Sequence, residues 1–281
     1  MVKRSVVALG LLGLVYAVAL PSASAAVLYQ DDFSSGKVKG VNGVYIQGKN
    51  PQTDADATAP LFTVDTNKDD PQFGWLDGGD GNGTTGSDLD PSDPSYEGLL
   101  LTGDPKWADV AIQSRMCSLD QNTGMMALVL RAAPKTKPTD PDSHYEFRYT
   151  TGNSPVLSAE DRDGIAAPDG NPNVRLMKVV NGKWKLLVET DNDKQSRVHI
   201  PEVNAAGADH DSAGDGSGTL TGAVFRFVAK GNLLQGFVSK DGKTFDKILE
   251  ANDGDLKAGL VGYAEYDYRA LYKDLLVEDA P

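Results

Sequence analysis

A seven-residue segment, residues 144–150, alternates strictly between polar and aromatic side chains, and this constrains the fold more than any other feature. Its polar members are His144, Glu146 and Arg148, and its aromatic members are Tyr145, Phe147 and Tyr149. Successive side chains of a strand point to opposite faces of a sheet. The pattern therefore predicts a strand in a sheet with one buried face and one solvated face.

Two runs before this segment, residues 107–116 and 124–131, also predict strands. If the second of them pairs with 144–150, Arg131 can join the polar residues on the solvated face. A mixed-charge face on a rigid sheet is the first candidate for a functional site. The alternative is an exposed ladder of ion pairs, which would contribute little to stability.

The rest of the chain consists of short apolar or alternating runs separated by turn residues. These runs lie at residues 27–33, 41–47, 61–64, 98–102, 173–180, 183–189, 223–230, 233–239, 244–249, 259–266 and 270–277. Asn181-Gly182 between two of them predicts a tight β-hairpin, because both turn positions favour positive φ. With no convincing amphipathic helix, the sequence predicts an all-β sandwich or barrel.

The N-terminal segment has the pattern of a secretory signal peptide. Lys3 and Arg4 precede an apolar run that reaches Leu20, and residues 23–25 form an Ala-x-Ala site. An uncleaved anchor is the alternative, but the run is shorter than the ~20 residues that a span requires. We expect removal of residues 1–25, a single domain over residues 26–281, and a secreted or periplasmic protein without membrane attachment.

Charge and cysteine content limit the partners and cofactors. The formal net charge of −13 repels phosphate backbones, so nucleic acid is not an expected partner. Cys117 is the single cysteine, which excludes an internal disulfide and the usual cysteine-rich zinc sites. We expect Cys117 to be a half-buried residue at a strand end rather than a reactive thiol.

The order of the strand segments resembles that of a known superfamily of secreted bacterial domains. The segments are Asp31-Asp32-Phe33, a Trp-Ala-Asp-Val strand from Trp107, a Leu-Val-Leu-Arg strand ending at Arg131, Tyr145-Glu-Phe-Arg148, residues 175–184, residues 225–232, Gly259-Leu-Val-Gly-Tyr263 and residues 272–277. Together they resemble concanavalin A-like, laminin-G-like jelly-roll domains. Within these, they are most similar to 3-keto-disaccharide hydrolase-type domains and related carbohydrate-binding modules. The resemblance covers residues 27–277, apart from insertions at about 65–95 and 191–218.

The resemblance implies two stacked antiparallel sheets that hold a glycan on one concave face. It implies that Arg131 and Glu146 lie at the sugar site, since they match positions that serve this role in the hydrolase-type relatives. Arg148 stands where those relatives often have Gln. The Glu-x-Asp-x-x-Glu motif of related β-glucanases is absent, so paired-carboxylate chemistry on one strand is not expected.

Aromatic residues and clustered acids supply further candidates. Trp75, in a polar loop, could stack on a sugar ring, whereas Trp107 and Trp184 lie in strand runs and are expected to pack in the core. Two sets of acidic and amide side chains could bind calcium, although neither has an EF-hand pattern. The first is Asp65, Asn67 and Asp69, and the second is Asp32 with Asp274 near the chain ends. A solvated acidic loop is the alternative for the first set.

These observations predict a secreted carbohydrate-binding β-sandwich that recognises a poly- or oligosaccharide on one sheet face through Arg131, Glu146, Arg148 and Trp75. One alternative is a glycoside hydrolase or lyase that uses Glu146 with Arg131 or His144, the latter as a general base. A second alternative is a structural or adhesive extracellular protein without a sugar site.

Overall fold

The computed structural model describes residues 25–41, 46–47, 62–64, 66, 76–77, 98–118, 125–134, 143–150, 173–190, 222–266 and 270–281. Within these ranges the chain forms fifteen β-strands and no helix. The strands are β1 (Val27–Asp31), β2 (Ile46–Gln47), β3 (Thr63–Val64), β4 (Leu76–Asp77), β5 (Gly98–Thr102), β6 (Val110–Ser118), β7 (Met125–Ala132), β8 (His144–Thr150), β9 (Asn173–Val180), β10 (Lys183–Glu189), β11 (Ala223–Lys230), β12 (Leu233–Ser239), β13 (Asp246–Asn252), β14 (Leu260–Tyr266) and β15 (Ala270–Asp279).

The strands form two antiparallel sheets. The first sheet has the order β13-β12-β11-β6-β15-β4-β3, with β1 also paired to β15, and the second has the order β10-β9-β8-β7-β14-β5-β2. Strands distant in sequence are neighbours in each sheet, as when β14 lies between β7 and β5. The predicted class, an all-β antiparallel two-sheet jelly-roll sandwich, is confirmed.

Aromatic and aliphatic side chains from both sheets fill the space between them. Tyr145, Phe147 and Tyr149 all point into this core, as their alternation predicts. The ring of Phe147 lies 5.5 Å from that of Phe225 in the first sheet, which is ordinary spacing for tilted aromatic pairs. Gly236 belongs to the same contact, because a Cβ at this position would approach the Phe147 ring to 2.4 Å. Glycine is therefore required where β12 crosses Phe147.

The second sheet is also buried on the face that points away from the first sheet, which we call the outer face. All eight residues of β7 are buried, and alternate ones form a separate apolar cluster. That cluster consists of Leu99, Leu101, Met125, Ala127, Val129, Ala132, Leu260 and Ala264. Both faces of β7 are thus removed from solvent, which is why its sequence reads as a continuous apolar run rather than an alternating one.

Several predicted bounds agree with the structure and a few differ. The hairpin of β9 and β10 is confirmed, with φ of 50° at Asn181 and 72° at Gly182. A short strand, β4, lies inside the stretch 65–95 that the sequence predicts to be irregular, and it pairs with β3 and β15. Strand β13 begins and ends later than the predicted run 244–249. The described residues include no helix long and apolar enough to cross a membrane.

Candidate functional site

The predicted polar face of β8 exists, and backbone register places three strands' side chains beside it. His144 is opposite Val179 of β9, which is opposite Trp184 of β10. Glu146 lies between Val129 of β7 and Met177 of β9. Because directly opposed residues share a face, these side chains all lie on the outer face of the second sheet.

One carboxylate organises the polar side chains of β8. Glu146 Oε1 lies 2.6 Å from His144 Nε2, and Glu146 Oε2 accepts a hydrogen bond from Arg148 Nε at 2.7 Å and lies 2.5 Å from Arg148 Nη2. The Arg148 guanidinium carbon also lies 4.7 Å from the centre of the Trp184 ring, a cation–π distance. We call Glu146, Arg148 and Trp184 the guanidinium–indole platform. His144, hydrogen-bonded to Glu146, flanks it.

The expectation that this face is solvated is wrong. His144 is 1% exposed, Glu146 0% and Arg148 3%. Trp184, at 4%, is buried as predicted, but it packs with Met177, Val179 and Leu186 on the outer face rather than in the core between the sheets. Alternation reports which side chains share a face, but it cannot report whether a face is covered.

Burial and neighbouring charges act in opposite directions on Glu146. Burial by itself raises the pKa of the Glu146 carboxyl, since a charged group loses its hydration. The charge of Arg148 and the hydrogen bond from His144 outweigh this effect, and the pKa of Glu146 lies below its ordinary value. Glu146 is therefore ionised at neutral pH, and the hydrogen bond from the Arg148 guanidinium is charge-assisted.

A second ion pair continues the polar row across the sheet. Arg148 lies directly opposite Arg175 of β9, and Arg175 is opposite Glu189 of β10. Arg175 Nε donates to Glu189 Oε2 at 3.1 Å. The two guanidinium groups thus occupy neighbouring strands, and each has its own carboxylate.

Arg131 does not share the face of Glu146, contrary to the sequence prediction. On β14, Leu260 pairs with Ala132 and Gly262 pairs with Val129, so β7 contains one extra residue. Arg131 has a φ of 53° at this β-bulge. Val129 and Ala132 both belong to the outer-face cluster, whereas Leu130 lies in the core. The bulge turns Arg131 to the core side, next to Tyr145.

At this position Arg131 joins three separate chain segments. Its Nε donates to the carbonyl of Ala108 at 2.9 Å, Nη1 to that of Leu256 at 2.9 Å and Nη2 to that of Gly231 at 2.8 Å. Asp109 lies 3.5 Å from Nη2 and also accepts from the Gly231 amide. The side chain is 1% exposed. Arg131 therefore closes one end of the sandwich and is not part of the outer-face site.

A second, partly buried cluster at this end was not predicted. Lys178 Nζ lies 2.5 Å from Asp253 Oδ2 and 2.6 Å from Asp255 Oδ2. The Tyr145 hydroxyl donates to Asp253 and accepts from the Leu256 amide at 3.0 Å. Burial and the bond to Asp253 raise the pKa of Tyr145. The segment after β13 is thereby fixed to β8 and β9. The only sequence signal for this cluster is the alternation along β9, which places Lys178 on the same side as the core residues Val174 and Leu176.

The remaining predicted site residues lie apart from this face or outside the described residues. Trp75, Asp65, Asn67 and Asp69 lie outside them. Asp32 is exposed and accepts hydrogen bonds from the Ser34 hydroxyl at 2.7 Å and the Ser34 amide at 3.0 Å. These two bonds lower the pKa of its carboxyl. Asp274 is exposed with a φ of 55°. Within the described ranges no three His, Cys, Asp or Glu side chains are grouped as a metal site.

Two other predictions concern packing. Trp107 packs against the core, as expected, and Gly103 accommodates its ring. Cys117 is the second-last residue of β6, close to a strand end as predicted. It is fully buried, however, rather than half-buried.

Comparisons with known proteins give likenesses of fold. No family model matches the chain, and no curated protein does. Solved structures with a similar fold include the carbohydrate-binding module CBM66 from Bacillus subtilis, with a TM-score of 0.41 and 14% identity over 65% of this chain and 81% of that one. A Bacillus subtilis protein of unknown function with a galectin-like fold has a TM-score of 0.47 and 11% identity over 90% of this chain and 96% of that one.

A third similar structure is the CBM2 module of the evolved Dit protein of Lactobacillus casei BL23 phage J-1, with a TM-score of 0.46 and 9% identity over 91% of this chain and 96% of that one. Because these TM-scores lie below 0.5, the likenesses carry no argument about the ligand of this chain.

Proposed function

We propose that this protein is an exported carbohydrate-binding β-sandwich that holds a poly- or oligosaccharide on the outer face of its second sheet. The observation that supports the proposal is the guanidinium–indole platform, in which Glu146 fixes Arg148 beside the Trp184 ring. Sugars present pairs of hydroxyl groups and apolar C–H faces. A planar charged donor and an indole in fixed positions match both features.

The platform is held by regular strands rather than by loops. Arg148 and Trp184 belong to β8 and β10, which both pair with β9 along most of their length. The hydrogen bond and ion pair with Glu146 fix the rotamer of Arg148. A side chain whose rotamer is already fixed loses less conformational entropy when a ligand binds.

Burial of the platform adds a condition on how a sugar binds. Arg148 and Trp184 expose only 3% and 4% of their surface in the ligand-free chain. The outer face must therefore open before a sugar can contact them. We expect association to be slower than the roughly 10⁵–10⁷ M⁻¹s⁻¹ of partners that dock without rearrangement.

The geometry supports binding more than catalysis. A glycosidase needs one carboxyl group that remains protonated to donate to the leaving oxygen. The pKa of Glu146 is lowered, and both its oxygens are engaged by His144 and Arg148. Arg131, the other residue assigned to the enzymatic alternative, is on the opposite side of the sheet. An adhesive surface has little support in the described residues, where Val27 is the single exposed large apolar side chain.

Replacement of Arg148 by Lys tests the proposal against a matched control. Arg148→Lys keeps the positive charge but removes the planar group above Trp184, so we expect glycan affinity to fall at least tenfold. Arg226→Lys is the control, because Arg226 makes a similar pair with Glu278, at 2.8 Å, in the first sheet. We expect this variant to bind within twofold of the wild type.

The assay is a glycan array followed by calorimetry on the purified protein, with sugar products monitored in the same samples. Circular dichroism shows that each variant is folded before it is compared. Equal affinity of Arg148→Lys and the wild type would remove the platform from the site. Failure of the wild type to bind any immobilised glycan would contradict the proposed function.

Export and calcium binding are separate parts of the proposal. N-terminal sequencing of the protein recovered from the periplasm or the medium tests export, and a mature chain that starts after Ala25 is the expected result. We propose that calcium binds to Asp65, Asn67 and Asp69, or to Asp32 and Asp274. A change in melting temperature on chelation tests this. The acidic chain is proposed to bind neither nucleic acid nor, once processed, membranes.

A further inference from the structure

Each cation on the outer face of the second sheet, within the described residues, has a carboxylate as its partner. Arg148 is bonded to Glu146 and Arg175 to Glu189. The exposed Lys183 and Lys185 alternate with Trp184 along β10, so they lie on the other side of the strand. The two ion pairs of this row together have a net charge of zero.

The carboxylates would compete with any acidic sugar. The side chains of Glu146 and Glu189 expose 0% and 6% of their surface, so neither carboxylate can move into water without a large rearrangement. A uronate or sulfate group that approached either guanidinium would have to displace the existing carboxylate or lie beside it. Two negative charges in contact with the same guanidinium repel strongly where water is excluded.

The charge of the whole molecule acts in the same direction. With a formal net charge of −13, the protein repels anionic polymers at long range, and this repulsion weakens as salt screens it. An anionic glycan would therefore meet an unfavourable field on approach and, among the described residues of the outer face, only guanidinium groups that already contact a carboxylate.

We propose that the ligand of the outer face is an uncharged glycan, and that Glu146 and Glu189 act as specificity residues that exclude acidic sugars. This inference rests on the proposed carbohydrate-binding function. Sugar hydroxyl groups can bind beside guanidinium groups without displacing a carboxylate, and the Trp184 ring offers an apolar surface to C–H groups. The carboxylate or sulfate of an acidic sugar placed beside either guanidinium would instead lie next to Glu146 or Glu189, a like charge.

Polymer pairs that differ only in charge test the inference. Affinity electrophoresis would compare dextran with dextran sulfate and fully methyl-esterified pectin with polygalacturonate, alongside neutral mannan, xylan, galactan, laminarin and levan. We expect binding to one or more neutral polymers, with less than a twofold change in affinity between 20 and 300 mM salt, and at least tenfold weaker binding to both anionic polymers. Preference for dextran sulfate or polygalacturonate that weakens with salt would overturn it.

Removal of one carboxylate gives a sharper test. Glu189→Gln removes the negative charge that Arg175 Nε contacts, so we expect affinity for polygalacturonate to rise at least fivefold. Glu278→Gln removes the carboxylate from Arg226 in the first sheet and is the matched control, for which no rise is expected. Equal gains in both variants would indicate nonspecific attraction and would contradict a role for Glu189. If Glu189→Gln does not fold, the wild-type comparison still decides the main inference.

The outcomes separate this inference from the proposed function. Binding to anionic polymers alone would refute the uncharged ligand while leaving carbohydrate binding intact. No binding to any neutral or anionic polymer, at either salt concentration, would refute both.

Discussion

Replacement of Arg131 by Met tests whether this residue closes the sandwich or binds sugar. The substitution keeps an unbranched side chain of similar length but removes every hydrogen-bond donor. Three backbone carbonyls, those of Ala108, Gly231 and Leu256, would lose the guanidinium at once. Because Arg131 is 1% exposed, water cannot readily take its place.

The expected magnitude follows from these three contacts. A buried polar group that loses its partner destabilises the folded state by about 1–3 kcal/mol. Some carbonyls will find another donor as the end of the sandwich relaxes, so we expect the free energy of unfolding to fall by about 3–6 kcal/mol. Domains of this kind are stable by only about 5–15 kcal/mol in total. The melting temperature should fall by about 10–20 °C.

Urea unfolding followed by tryptophan fluorescence measures the change, and Arg226→Met is the control. The Arg226 and Glu278 side chains keep 16% and 17% of their surface exposed, so water can partly replace the lost contact, and this variant should lose less stability than Arg131→Met. Arg131→Lys should be intermediate, since one ammonium cannot reach three carbonyls as a guanidinium does. If Arg131→Met is no less stable than Arg226→Met, the structural role is refuted. Loss of glycan binding at unchanged stability would instead restore the sugar-binding interpretation.

Three further predictions concern packing, pH and calcium. Gly236→Ala should destabilise the fold by about 1–3 kcal/mol because its Cβ would meet the Phe147 ring, and adding Phe147→Leu should recover part of the loss in a double-mutant cycle. Burial raises the pKa of the Asp253 carboxyl, but hydrogen bonds from Lys178 and Tyr145 lower it by more than burial raises it, so the net shift is downward. Its stabilisation is present above the ordinary pKa of 3.8 and is lost as the pH falls through the lower folded pKa, so acid titration of the melting temperature should be flatter in Asp253→Asn. If calcium is bound, EDTA should lower the melting temperature and added calcium should restore it, whereas an unchanged value would remove calcium from the proposal.

Local pattern predicted most of the fold because strand and turn signals act over short distances. Alternation in residues 144–150 fixed the faces of β8, and Asn181-Gly182 fixed the hairpin of β9 and β10 through its two positive φ angles. The pairing of β14 with β7 and β5 depends on contacts more than a hundred residues apart. Such pairings followed only from the resemblance in segment order.

The site was predicted less well, since one residue of extra backbone reverses a face. Alternation along β7 assigns Arg131 to the side of Glu146, but the bulge places Leu130 and Arg131 together on the core side. No short-range signal marks this bulge. The ion pairs of Lys178 with Asp253 and Asp255 likewise join strands distant in sequence. Sequence identified the residue types on each strand, whereas tertiary pairing decided which of them meet.

The energetics of the buried polar row favour a role beyond stability. Removing two charges from water costs several kcal/mol per ion, and the attraction between them rarely returns more than this. An apolar residue of similar size at Glu146 would pack against Val129 and Met177, and one at Arg148 would lie beside Ala127, at no such cost. Arg131, by contrast, satisfies three backbone carbonyls that would otherwise be unpaired, so its burial has a structural reason. Within the described residues Glu146 bonds only to other side chains, so the proposed role in ligand selection would account for an ionic group at a position where an apolar one would suffice.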